Sequence, residues 1–395
     1  MATFKVEVLK VEILDHPDAD ALEIAQVRGY QSIVRKGQFQ TGDLAAYIPE
    51  QAIVPEWVLR RLNLWDDEKG KGKLAGKQGN RVKPVKLRGV MSQGLLYPLE
   101  VIHHAFEHAF EDQTDWLLQA HDELEYTVTE GEDVTELLGI TKWEPPIPTQ
   151  MAGEVVNIYG KTLKYDIENI KNYPNIAQAL IDLQIPVSIT EKLHGTWCCI
   201  GIYPESIHEE IPYERVLITS KGLSGKGLAF KDNEVNVNNL YMRMFKTLFP
   251  DYDTFRLLKG SVSAFSGPMF FLGEIFGKGV QDLTYGLNDV QFRVFDIYEG
   301  NPSQGDYLTP FVVREFIEAM ELPFHTVPSL YEGPLTWDIV REYTDGKDTV
   351  TGSHMREGIV IRTLEQEYRN ADIGRVILKS VSDDYLNRKN GTEYN

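Results

Sequence analysis

A chain of 395 residues, 42% hydrophobic and 25% charged, is too long for one small core and has the composition of an ordinary globular protein of two domains. No apolar stretch is long enough to span a bilayer, and the start, Met1 to Glu7, lacks the basic and apolar pattern of a secretion signal, so no membrane partner and a cytoplasmic setting are expected. The adjacent Cys198 and Cys199, the only cysteines, rule out an ordinary intrachain disulfide, and a net charge of -19 argues against any nucleic-acid contact that is not confined to a local basic patch.

The first hundred or so residues read as short strands. Phe4, Val6 and Val8 alternate, Val11 and Ile13 follow, then Ile24 and Val27, each run closed by turn residues. Close spacing of short strands suggests a small barrel. The turn-like His16-Pro17-Asp18-Ala19-Asp20, the stretch Gly37 to Asp43 and the segment Leu87 to Gly94 together resemble the OB-fold modules of tRNA-binding proteins. Such a barrel offers a strand face and loops to oligonucleotides. Between Arg60 and Arg88 the chain is basic, which makes Lys83, Lys86 and Arg88 candidates for phosphate contact; the plain alternative is a solvated linker, since Lys69 to Lys73 alternates lysine with glycine.

Residues 101–135 are acidic, with His103, His104 and His108 at helical spacing. That spacing does not put three ligands on one helix face, so a solvated helix is expected there rather than a metal site. The proline run Trp143 to Pro148 cannot continue a sheet or helix and marks the boundary between residues 1–145 and 146–395. Beyond it, apolar strands broken by glycine mix with helical stretches such as Asn239 to Leu248.

The chemistry concentrates in Val187-Ser188-Ile189-Thr190-Glu191-Lys192-Leu193-His194-Gly195-Thr196. Alternation puts Ser188, Thr190 and Lys192 on one polar face of a strand, and Gly195 lets backbone approach a ligand. A Lys-x-x-Gly tetrapeptide alone is equally an exposed lysine before a hairpin. The longer string Glu191 to Thr196 resembles motif I of the covalent nucleotidyltransferases, most closely that of RNA ligase 2-like enzymes. Further segments stand in that superfamily's order: Ser220-Lys221-Gly222, then Phe271 to Gly277 like motif III, Phe292 to Ile297 like motif IIIa, Glu357 to Arg362 like motif IV, and Ile377 to Ser380 like motif V.

With an OB-like front and about fifteen residues after Lys379, the layout is similar to ATP-dependent RNA ligases of the Deinococcus type; DNA ligases and capping enzymes usually place a barrel after motif V. The resemblance implies an α+β chain: an N-terminal OB-like β-barrel, then a ligase-type, ATP-grasp-like nucleotidyltransferase domain of antiparallel sheets flanked by helices. It implies Lys192 as the residue that carries AMP, and ATP contacts from Glu191, Gly195, Lys221, Glu274, Phe292, Val360 and Lys379. Glu357 is the expected ligand of Mg²⁺ or Mn²⁺, and RNA or RNA-containing duplex ends the expected partner. The alternatives are a DNA ligase and an inactive RNA-binding or sensor relative.

Each residue type suits the reaction. The lysine must be neutral to attack phosphorus, and cations such as Lys379 favour its neutral form while stabilising phosphate charge. Three departures from the family pattern stand out. Trp197 occupies a position usually held by asparagine, Ile377 replaces the first motif V lysine with Arg375 as a possible substitute, and strict alternation sends Glu357 and Val360 to opposite strand faces.

Overall fold

The computed structural model describes residues 4–99, 128–211, 215–250, 267–365 and 367–392. The His103, His104 and His108 group lies outside them. The chain divides into one unit of Ala2–Glu144 with Lys171–Pro174 and another of Pro145–Ile170 with Asn175–Asn395, so the first break falls within the proline run.

In the first unit, Leu44–Ile48 is the middle strand of an antiparallel sheet with Glu7–Lys10 and Leu95–Pro98. A second antiparallel sheet joins Glu12–Asp15, Leu22–Val27 and Tyr30–Arg35. Alternating apolar residues fill two cores, one around Val6, Val8, Ile48 and Tyr97, the other around Val11, Val27 and Tyr47. The Met91 to Gly94 segment is tied down by its glutamine: Gln93 donates to Glu50 Oε1 at 2.7 Å, accepts from Lys171 Nζ at 2.5 Å, and its carbonyl accepts from Ser32 Oγ at 2.7 Å. A hairpin of Val85–Leu87 and Val90–Ser92 turns at Arg88 and Gly89, both with positive φ as a tight two-residue turn requires. Lys83, Lys86 and Arg88 are exposed on and beside it.

The second unit is built on two sheets. One runs, in spatial order, Glu168–Asn169, Ile377–Val381, Gly358–Thr363, Pro186–Lys192 and Ser329–Pro334; the other Val216–Ser220, Thr196–Ile202, Met269–Gly277, Val290–Glu299 and Asp306–Tyr307. Pairing is antiparallel except where Glu168–Asn169 meets Ile377–Val381 and where His325–Thr326 meets Val290–Glu299. Met269–Gly277 is a near-continuous apolar run because both its faces are covered. Met269, Phe271 and Ile275 face one core with the helix Leu240–Leu248, while Phe270 and Leu272 face another with Tyr165 and Tyr298. The helix starts where the sequence expects it, since Asn239 Oδ1 accepts from the backbone N–H groups of Tyr241 and Met242. Thr309 caps the second covering helix, Pro310–Ala319, with proline in its first turn.

Candidate active site

Lys192 ends the strand Pro186–Lys192, directly opposite Gly358 on the neighbouring strand. In the row above, Thr190 pairs with Val360 and Val360 with Lys379, so alternation sends Lys192, Thr190, Val360 and Lys379 to one face. Glu357 precedes the strand Gly358–Thr363 and escapes its alternation. Gly358 has φ +153°, and a Cβ there would sit 2.1 Å from the Ser380 carbonyl, so only glycine makes this change of direction. The bend brings Glu357 Oε1 to 2.7 Å from Lys192 Nζ and resolves the conflict between Glu357 and Val360 that strict alternation creates.

Glu274 reaches the same charge cluster from the other sheet, where it pairs with Trp197 on one side and Arg293 on the other. Burial pushes its carboxyl up to about 8 against the pull of Lys192, and Glu357 adds to the rise. For Lys192, burial favours the neutral amine, but Glu357 and Glu274 outweigh it and hold the ammonium above the ordinary lysine range. Lys379 is brought down to about 8 by burial and by the neighbouring charges of Lys192 and Lys221. Lys221 opens the short helix Lys221–Ser224, 3.7 Å from Asp166, and remains 45% exposed. Three lysines and two carboxylates therefore share one half-buried region.

Four expectations change. Phe292 is on the far side of its sheet. It pairs with Ile275 and packs with Val294 and Phe324 in the helix-covered core, its ring 5.8 Å from that of Phe324. Phe295 has the opposite parity; with Val360 and Trp197 it packs against the cluster containing Tyr165 and Ile377. Glu191 lies on the strand face opposite Lys192, and its Oε2 accepts from Thr349 N at 2.7 Å and Thr349 Oγ1 at 2.5 Å, so it anchors a loop. Gly195 has no room for a Cβ because the Ile275 carbonyl would lie 2.1 Å from it, and its N–H donates to Glu274; the close approach is to the neighbouring strand. Arg375 is committed to Asp296 at 2.6 Å and Glu367 at 2.7 Å and stacks on Tyr307 at 4.0 Å, so it does not stand in for the lysine missing at Ile377.

Other residues join the framework of the site without having been singled out above. Asp296 is fully buried between Arg375, Arg362 at 3.1 Å and the Tyr165 hydroxyl at 3.0 Å, and ties the strand Gly358–Thr363 to Val290–Glu299. Glu168, on the strand beside Lys379, contributes a further negative charge to that lysine. Phe295 was accessible from sequence by parity with Arg293; Glu168 was not, because its strand is two residues long. Lys83, Lys86 and Arg88 belong to the other unit.

Residues 185–381 match the RNA ligase family and residues 5–99 an OB-fold domain. No curated protein is similar to the chain in sequence. Among solved structures, a Naegleria gruberi RNA ligase with a lysine-to-alanine substitution, holding ATP and Mn, is 23% identical with a TM-score of 0.71, covering 96% of this chain and 97% of that one. A glutamate-to-alanine variant of the same ligase with AMP and Mn gives 22% and 0.72 over 97% and 98%, and an apo aspartate-to-alanine variant 24% and 0.71 over 98% of both. At these identities the likeness establishes the fold, which is shared along nearly the whole chain. The chain belongs to the RNA ligase family, with its ligase domain at residues 185–381 behind an OB-fold domain at residues 5–99.

Proposed function

We propose that this protein is an ATP-dependent ligase that joins a 5′-phosphate end to a 3′-hydroxyl through a lysyl-AMP intermediate on Lys192, acting at nicks in duplex RNA or RNA/DNA hybrid. The observation that carries the reading is the setting of Lys192 at a strand end between Glu357 and Glu274, with Lys379 and Lys221 in the same charge cluster. ATP and a divalent metal are supported by the nucleotides and Mn bound in the Naegleria ligases.

Glu357 and Glu274 are hard oxygen donors whose mutual repulsion a divalent cation relieves, so the residues present fit such an ion. Mg²⁺ keeps several waters and takes phosphate oxygens among its ligands, so one or two carboxylates suffice to hold it. When bound there it supplies charge neutralisation for the phosphates and competes with Lys192 for the Glu357 carboxylate.

In the first step Lys192 gives up its ammonium proton to solvent and the neutral amine attacks the α-phosphorus of ATP, a second N–H proton leaving to solvent as the phosphoramidate forms. A P–N bond forms, the bond to the β-phosphate oxygen breaks, and pyrophosphate leaves. Lys379 and Lys221 oppose the negative charge that builds on the phosphates. Phe295 and Val360 offer apolar surface to the two faces of adenine. Next, an oxygen of a 5′-phosphate attacks the AMP phosphorus and Lys192 departs, regaining its proton. Finally the 3′-hydroxyl attacks the 5′-phosphorus and AMP leaves, with Lys83, Lys86 and Arg88 holding the strand.

The test compares sealing of nicked duplexes that differ only in sugar on the 3′-hydroxyl side. Joining with RNA there and poor joining with DNA is expected. Equal or better joining with DNA assigns the protein to DNA repair.

A further inference from the structure

We infer that the segment Ser382–Thr392, which follows motif V, is a positioning element of the catalytic centre: it braces His194 and Glu357 on either side of Lys192 and so sets the direction of the lysine side chain. The inference rests on the reading of Lys192 as the nucleophile.

His194, two residues beyond Lys192, is 2% exposed and its ring has both nitrogens engaged. Nε2 lies 2.9 Å from Asp282 Oδ1 and Nδ1 2.9 Å from the Tyr385 hydroxyl. Facing a carboxylate, Nε2 is assigned the proton, which leaves Nδ1 to accept from Tyr385. Its backbone N–H donates to the Tyr285 hydroxyl at 2.7 Å. A ring held in this way is a strut, with neither nitrogen open to a substrate.

Of these partners, Tyr385 belongs to the segment Ser382–Thr392 and Asp282 is held by it. Asp282 accepts from Arg388 Nε at 2.8 Å and Nη2 at 3.1 Å, and from Thr392 N and Oγ1, both at 2.8 Å. The Arg388 guanidinium lies 3.7 Å over the Tyr385 ring. Ser382 caps the helix Asp383–Leu386, and its N–H donates to the Glu357 carbonyl at 2.9 Å. The same segment therefore grips Glu357, which pairs with Lys192, and His194, two residues beyond it.

In-line attack on phosphorus demands placement to a fraction of an ångström, and misplacement lowers the chemical rate without weakening ATP binding. A single hydrogen bond contributes about 1 kcal/mol, so losing the Tyr385 hydroxyl is expected to slow attack about fivefold. Tyr385→Phe keeps the ring and its contact with Arg388 while removing only the hydroxyl. Arg388→Ala removes the guanidinium from Asp282 and from the Tyr385 ring and serves as the second variant.

The experiment measures single-turnover adenylate formation in the full-length protein across ATP concentration, alongside thermal melting. For both variants the maximal rate should fall about fivefold or more, with half-saturating ATP within about twofold of wild type and the melting temperature of Tyr385→Phe close to wild type. Wild-type maximal rates in both variants overturn the inference. So does a loss of rate that only tracks a loss of folded protein, or a rise in half-saturating ATP at unchanged maximal rate. If the wild type itself forms no adenylate, the ligase reading falls and the role assigned to this segment falls with it.

Discussion

The Lys192 ammonium and the Glu357 carboxylate lie 2.7 Å apart because the strand register sets Lys192 opposite Gly358, and the bend at that glycine turns Glu357 back toward it. In this pairing Lys192 is held charged, with its titration above the ordinary lysine range. Glu357→Gln removes the partner and lowers that titration. Modification of Lys192 by an amine-directed acylating reagent at pH 8, read by peptide mass spectrometry without nucleotide, should rise about tenfold. ATP labelling by the same variant should fall about a hundredfold, because the ion's ligand is lost. Unchanged acylation means that Glu357 does not hold the lysine charged.

Glu274 makes stability depend on pH. Its carboxyl titrates at about 8 when folded, above the ordinary carboxylate range, so the folded protein binds this proton more tightly than the unfolded chain. The stability it contributes is present at acid pH and is lost as pH rises from the ordinary range through about 8. Glu274→Gln should therefore melt a few degrees above wild type at pH 8.5 and level with it at pH 5. Equal melting at both values places Glu274 in a more solvated setting.

Phe292 and Phe295 separate stability from nucleotide binding. Phe292 is buried in the helix-covered core, so Phe292→Ala should cost about 3–5 kcal/mol of stability in denaturant titration. Phe295→Ala should leave stability closer to wild type and raise half-saturating ATP about tenfold or more, through loss of stacking on adenine. The reverse pattern returns the stacking role to Phe292.

Much of this was legible in the sequence where local pattern decides. The alternation through Pro186–Lys192 set Lys192 on one strand face with Thr190, and the helical stretch read from Asn239 to Leu248 contains the helix Leu240–Leu248. Tertiary context set the rest. Phe292 reads as the stacking aromatic of motif IIIa, and its pairing with Ile275 and packing with Phe324 turn it toward the helices instead. Glu191 sits in motif I, yet its partner Thr349 comes from a loop that no local rule ties to it. The bracing of His194 by Asp282 and Tyr385 joins residues distant in sequence and leaves no periodic trace.

The proposed function needs a local basic group to hold a phosphate backbone on a chain of net charge -19, and it assigns that part to Lys83, Lys86 and Arg88. Replacing all three with glutamine should weaken RNA binding, flatten its dependence on salt and reduce sealing, while ATP labelling stays near wild type. Fluorescence anisotropy across a salt series checks this. Wild-type affinity and salt slope remove the hairpin from the RNA interface.

The most direct measurement incubates the full-length protein with magnesium and ATP labelled in either its α- or its γ-phosphate, then denatures it and maps the label. The α-label should remain covalently attached through an acid-labile bond to the peptide containing Lys192, the γ-label should not, and Lys192→Ala should carry neither. Stable α-label on another residue, retention of the γ-label, or undiminished labelling of Lys192→Ala would contradict Lys192 as the residue that carries AMP.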